Sequence, residues 1–170
     1  MTISLSLQVW YGRLLLLGDK MKVEIIELQL AKKGEIELSG TNGYVYGIET
    51  AQRIFLSTIG KSNIEKIGAI FVDSTNKIIN YTTLAMGTIN TVKLPMAELF
   101  KVALLCNATK FVIAHNHPSG ILKVTPSDIQ LTKKIGTIAK LFDMELIDSI
   151  IININGDIIS IREYIMEKVQ

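Results

Sequence analysis

Apolar positions change their period several times along this chain, and each change marks an element. Over "GIETAQRIFLSTIG" they recur at a spacing close to helical, with Gly60 near the end, which predicts a helix. The next block alternates and is rich in β-branched residues. "EKIGAIFVD" reads as a strand, "STNK" as a turn and "IINYTTLAMG" as a second strand, paired as a hairpin, with "NTVKL" a short third strand. Pro95 opens a helix through "MAELFKVALLCNAT", whose small apolar side suits packing on a sheet. "KFVIAH" is a short apolar run of the kind found in central strands covered on both faces.

"TPSDIQLTKKIGTIAKLF" carries the marks of a helix start: Thr125 as N-cap, Pro126 in the first helical position and Asp128 three residues after the cap. "MELIDSIIININ" reads as a strand, "NGD" as a tight turn and "IISIRE" as its hairpin partner. Upstream, "MKVEIIELQLA" and "GEIELSG" read as short strands separated by "KKG", an N-terminal β arm over residues 21–46. Hairpins with helices interposed, and no repeats or low-complexity linkers, predict an α+β domain.

The first twenty residues, "MTISLSLQVWYGRLLLLGDK", are apolar but lack a basic start and a small-residue cleavage site, and Arg13 interrupts the apolar run. A bilayer span needs about 20 mostly apolar residues. Residues 1–20 are therefore read as a poorly ordered leader, with Met21 as an alternative start, and nothing later in the chain could cross a membrane. The single cysteine excludes an internal disulfide and points to a reducing, cytoplasmic setting. Cys106 is expected in the core. A net charge of +2 is mild, and "AKKGE" and "LTKKI" read as solvated faces rather than a basic stripe. With aromatic residues few and scattered, a base-stacking platform for nucleic acid is disfavoured.

The candidate chemistry lies in "FVIAHNHPSG", which holds both histidines of the protein. Side chains at i and i+2 of a strand share a face, so His115 and His117 can aim two imidazoles at one point while Asn116 faces away. Two neutral imidazoles suit Zn²⁺, and a catalytic zinc takes a third protein ligand and keeps one position open. Asp128, in the first turn of the next helix, is the nearest acidic candidate after the sharp "PSG" reversal. Zinc lowers the pKa of a water to about 7, and hydrolysis then needs a carboxylate to move protons. Glu65 is the preferred base, although spacing does not separate it from Glu98 or Asp148. An HNH nuclease is set aside because its letters name dispersed residues. A zinc deaminase would need H-x-E with P-C-x-x-C.

The run "HNHPSGILKVTPSDIQLT" resembles the signature of the RadC-type proteins, a bacterial branch of the JAB/MPN fold whose metal motif is called JAMM. That pattern is an upstream Glu, then H-x-H, seven residues, Ser or Thr, two residues and Asp, and it sets Glu65, His115, His117, Thr125 and Asp128 in register. The likeness extends through "EKIGAIFVDSTNKII", "AMGTINT", "ELFKVALLCNATKFVIAHNHPSG" and "LIDSIIININGDIISIRE", which gives a RadC-type domain over residues 47–166. The resemblance implies a cytidine-deaminase-like, curved mixed sheet flanked by helices. It implies Zn²⁺ held by His115, His117 and Asp128, with Glu65 as general base and then acid. Thr125, where Ser is common, would help stabilise the oxyanion. The implied activity is zinc-dependent hydrolysis of a peptide, amide or isopeptide bond in a peptide or protein substrate. The alternative is a binding or scaffold module with little or no turnover, accessory to DNA repair or mobile-element processes. Departures from the pattern are Ala97 in place of an Arg and Ser149 in place of a His. A helical DNA-binding module of longer members does not fit within residues 1–46.

Overall fold

The computed structural model describes residues 22–25, 27, 30–37, 42–87 and 93–168. The leader and Met21 lie outside these. The hairpin read from "EKIGAIFVD" and "IINYTTLAMG" is present as β1, Lys66–Val72, and β2, Ile78–Met86, in antiparallel register. Asp73 makes the turn between them, its Oδ1 accepting from the Thr75 and Lys77 amides at 2.8 and 3.0 Å. β3, Lys110–His117, pairs antiparallel with β1 and parallel with β4, Glu145–Asn153, and β4 pairs antiparallel with β5, Ile158–Ser160. The sheet is mixed, in the order β2-β1-β3-β4-β5, so the histidine-bearing strand is central.

Alternation along the central strands divides the core into two layers. Ile70, Val72, Val112, Ala114, Ile150 and Ile152 face α1, Ile48–Phe55, and the π-helical turn Leu56–Gly60 that continues it. Phe71, Phe111 and Ile113 face the other way, onto α2, Met96–Leu105, and α3, Pro126–Lys140. The α+β class and the helices on both faces agree with the sequence reading. No described helix is long and apolar enough to cross a membrane.

Four expectations need correction. "IISIRE" is not all strand: β5 stops at Ser160, whose hydroxyl caps the short helix α4, Ile161–Glu167, by accepting from the Glu163 amide at 3.0 Å. The helix through "MAELFKVALLCNAT" ends at Leu105, because Asn107 turns the chain at φ 54°. Cys106, at that helix end, is only partly buried; its Sγ lies 3.5 Å from the Ala103 carbonyl oxygen. In "NTVKL" the described residues Lys93 and Leu94 belong to no strand.

Of the N-terminal β arm, described residues 22–25, 27 and 30–37 carry no strand. The arm's ladder contact among the described residues is one antiparallel bridge between Tyr44 and Lys77. A two-stranded ribbon with no layer over its apolar side is marginal in water, and Val23 and Ile25 are exposed.

Candidate metal centre

His115 and His117 stand at the C-terminal end of β3, and their side chains share the face of Ile113, as i, i+2 spacing requires. Their Nε2 atoms are 3.1 Å apart. The turn after them fixes the second ring. Gly120, at φ 77°, brings the chain back so that its amide donates to the His117 carbonyl at 3.1 Å, and His117 Nδ1 lies 2.8 Å from the Ile121 carbonyl oxygen. A carbonyl oxygen only accepts, so Nδ1 carries the proton and Nε2 of the neutral ring presents its lone pair toward His115.

The loop making that contact is itself held. Asn153, paired with His117 across the sheet, donates from Nδ2 to the Gly120 carbonyl at 3.2 Å and to Asp157 Oδ2 at 2.9 Å. Its Oδ1 accepts from the Asn155 and Asp157 amides at 3.0 and 2.9 Å. Asn153 thus ties the histidine loop to the β4–β5 turn. Sequence reasoning missed it, and its only trace was the polar residue ending an isoleucine-rich run beside "NGD".

Asp128 Oδ1 lies 3.7 Å from His115 Nε2, and both side chains are largely buried. Burial holds the His115 imidazole down to about 4, against an upward pull from Asp128 and with a further depression from His117. The ring is therefore neutral near pH 7, the form that ligates metals. Thr125 caps α3 as expected and forms a full capping box: its hydroxyl accepts from the Asp128 amide at 3.3 Å and donates to Asp128 Oδ2 at 2.7 Å. That hydroxyl is occupied within its own helix end.

Glu65 directly precedes β1 and is half-buried. Ile67 pairs with His115 in the last pair of that ladder, and strand alternation continued to Glu65, two residues earlier and outside the strand, would put it on the histidine face. Glu98 is exposed and bonded to Lys101 at 3.0 Å, and Asp148 is bonded to the β4 and α4 backbone; neither is brought to the imidazoles. Ala97 is exposed on α2, whereas Ser149 is buried beside His115 in a small, mostly apolar cavity shared with Ile67, Ile113 and Leu131.

The donor set suits zinc in kind. Zinc–ligand distances of about 2.0–2.1 Å in tetrahedral geometry put neighbouring donors about 3.4 Å apart, and the two separations above bracket that value. As the side chains stand, however, no group of three or more His, Cys, Asp or Glu among the described residues is arranged to hold a metal ion. The two imidazoles face each other, and Asp128 turns Oδ1 toward His115 while Thr125 holds its Oδ2.

A mixed five-stranded sheet between helical layers, with this H-x-H strand at its centre, is a JAB-type α+β fold. The chain matches the family described as "RadC-like JAB domain" over residues 46–166, and it belongs to that family. It is 33% identical over 115 residues to a UPF0758 protein of Finegoldia magna, covering 68% of this chain and 51% of that protein. It is 35% identical over 105 residues to UPF0758 protein NTHI1125 of Haemophilus influenzae, covering 62% and 48%. A UPF0758 protein of Acidithiobacillus ferrooxidans is 30% identical over 120 residues, covering 69% and 53%. The chain spans about half the length of these relatives.

Proposed function

We propose that this domain is a zinc-dependent hydrolase of the JAMM type, acting on a peptide, amide or isopeptide bond in a peptide or protein substrate. The observation that carries this reading is the fixed tautomer of His117. A Nδ1 proton committed to the Ile121 carbonyl leaves Nε2 facing a second, neutral imidazole at 3.1 Å, with a carboxylate beside it. In the metal-free protein His115 Nε2 donates to that lone pair, and a cation between the two nitrogens would take the place of the shared proton.

His115, His117 and Asp128 would hold the zinc, which when bound supplies a Lewis acid that lowers the pKa of water toward neutrality. The Glu65 carboxylate takes the proton of the attacking water and returns it to the leaving nitrogen, which completes hydrolysis without net consumption of protein groups. The expected result is about one zinc per chain by elemental analysis, lost in His117→Ala. Hydrolysis of a fluorogenic peptide library is expected to fall about a hundredfold in Glu65→Gln, to a measurable residue, while zinc remains.

A second reading, a binding or scaffold module with little turnover, is favoured by the Thr125 hydroxyl. It is engaged by Asp128 on both its donor and acceptor sides, rather than turned toward a substrate. Normal zinc content with hydrolysis that does not respond to Glu65→Gln would select that reading.

A further inference from the structure

We infer that Asn116, between the two histidines, is the positioning residue for Glu65; this rests on the reading of Glu65 as the base. Asn116 is fully buried and points to the face opposite the imidazoles, where the other residues are mostly apolar. A primary amide in such a place must use its donors and acceptor, and this one uses them on a single short segment. Its Oδ1 accepts from the Lys66 amide at 2.6 Å. Its Nδ2 donates to the carbonyls of Ser62 and Ile64 at 3.1 and 3.2 Å.

These three bonds bracket Glu65. The residue before it is held by its carbonyl and the residue after it by its amide, both from one side chain of the metal strand. The β1–β3 ladder has its last backbone pair at Ile67 and His115, so Asn116 extends the pairing one step with an amide group that mimics a peptide. Two further contacts stiffen the segment: the Ser62 hydroxyl donates to the Ile64 carbonyl at 2.9 Å, and the Gly87 amide donates to the Glu65 carbonyl at 2.8 Å. The consequence is geometric. The residue that sets the height of Glu65 lies one position from each imidazole, so base and metal ligands share one rigid strand end, and reacting groups lose rate steeply when misplaced by about 1 Å.

The test compares Asn116→Ala and Asn116→Asp in the full chain. Asp keeps the acceptor for Lys66 but sets an oxygen against the two carbonyls. Hydrogen exchange of the zinc-free protein should rise about tenfold at the Lys66 amide in Asn116→Ala. The Ser62–Lys66 segment should loosen in Asn116→Asp, which also serves should the alanine variant not fold. Zinc stoichiometry should match the parent. Against a cleaved library peptide, kcat should fall at least tenfold with KM unchanged, and adding Asn116→Ala to Glu65→Gln should cost nothing further. Unchanged exchange at Lys66, or the same fold-loss with and without Glu65, would overturn the inference. A parent that binds no zinc overturns the hydrolase reading and the catalytic sense of this one, and the exchange result still tells whether the clamp itself failed.

Discussion

Thr125 and Asp128 hold each other at the start of α3. The Thr125 amide and hydroxyl both donate to Asp128 Oδ2, at 2.8 and 2.7 Å, and the Asp128 amide donates back to the hydroxyl. The cap and the proposed third zinc donor are therefore one device. Thr125→Ala should lower the stability of the zinc-free protein by about 1 kcal/mol in urea unfolding. It should also weaken zinc severalfold by freeing Asp128, whereas Thr125→Ser should keep both. An alanine variant with unaltered zinc affinity would show that the box does not prepare Asp128.

Asn153 orients His117 at one remove, through the Gly120 carbonyl. Asn153→Ala should reduce zinc affinity roughly tenfold to a hundredfold in competition with a chelator. Its side-chain bonds run to the histidine loop and the β4–β5 turn rather than to an imidazole. A full loss of zinc equal to that of His117→Ala would therefore indicate collapse of the loop instead.

Asp148 supplies a pH dependence away from the paired histidines. Burial raises its carboxyl above the ordinary value, and bonds from Ser160, Arg162 and Ser149 only partly offset this. With the folded-state pKa above the unfolded one, the stability tied to this proton is complete below the unfolded value. It is lost as pH rises through the folded one. Asp148→Asn keeps an oxygen for the Ser149 and Arg162 amides, now 2.7 and 3.2 Å away, without the charge. Its stability relative to the parent should therefore grow as pH rises above the ordinary aspartate value of about 3.9 in denaturant titrations. A relative stability that shrinks over that range would contradict burial as the controlling effect.

Gly68 lies beneath the Tyr81 ring, where an added Cβ would meet Tyr81 Oη at 2.8 Å and Cε2 at 3.0 Å. The ring cannot lift freely, since it packs edge-on against Phe55 and its hydroxyl pairs with Thr83 Oγ1 at 3.0 Å. Gly68→Ala should cost about 1–3 kcal/mol. Adding Tyr81→Leu should recover part of that loss, a coupling that a double-mutant cycle in urea would measure.

How far the sequence carried depended on the range of the interactions involved. The capping box at Thr125 and Asp128, the turn at Asp73 and the shared face of His115 and His117 are settled within a few residues, so local chemistry spelled them out. The end of β5 was misread because "IIS" and "IRE" both open on isoleucine and continue the apolar run. Only the capping bond from Ser160 to the Glu163 amide marks where strand gives way to helix. Of the arm over residues 21–46, the described residues show one bridge, Tyr44 to Lys77, and alternation states what a strand would look like but not where its pairing partner lies.

By itself the sequence determined the candidate donor types, their spacing along the chain and the alternation that puts two imidazoles on one face, because those follow from backbone period and side-chain chemistry. Tertiary structure alone decided which backbone carbonyl receives the His117 proton, where the Asn116 amide spends its three bonds and that Asp128 leans toward Thr125. Each of those depends on how chain segments meet at a strand end, and no local period encodes such a meeting.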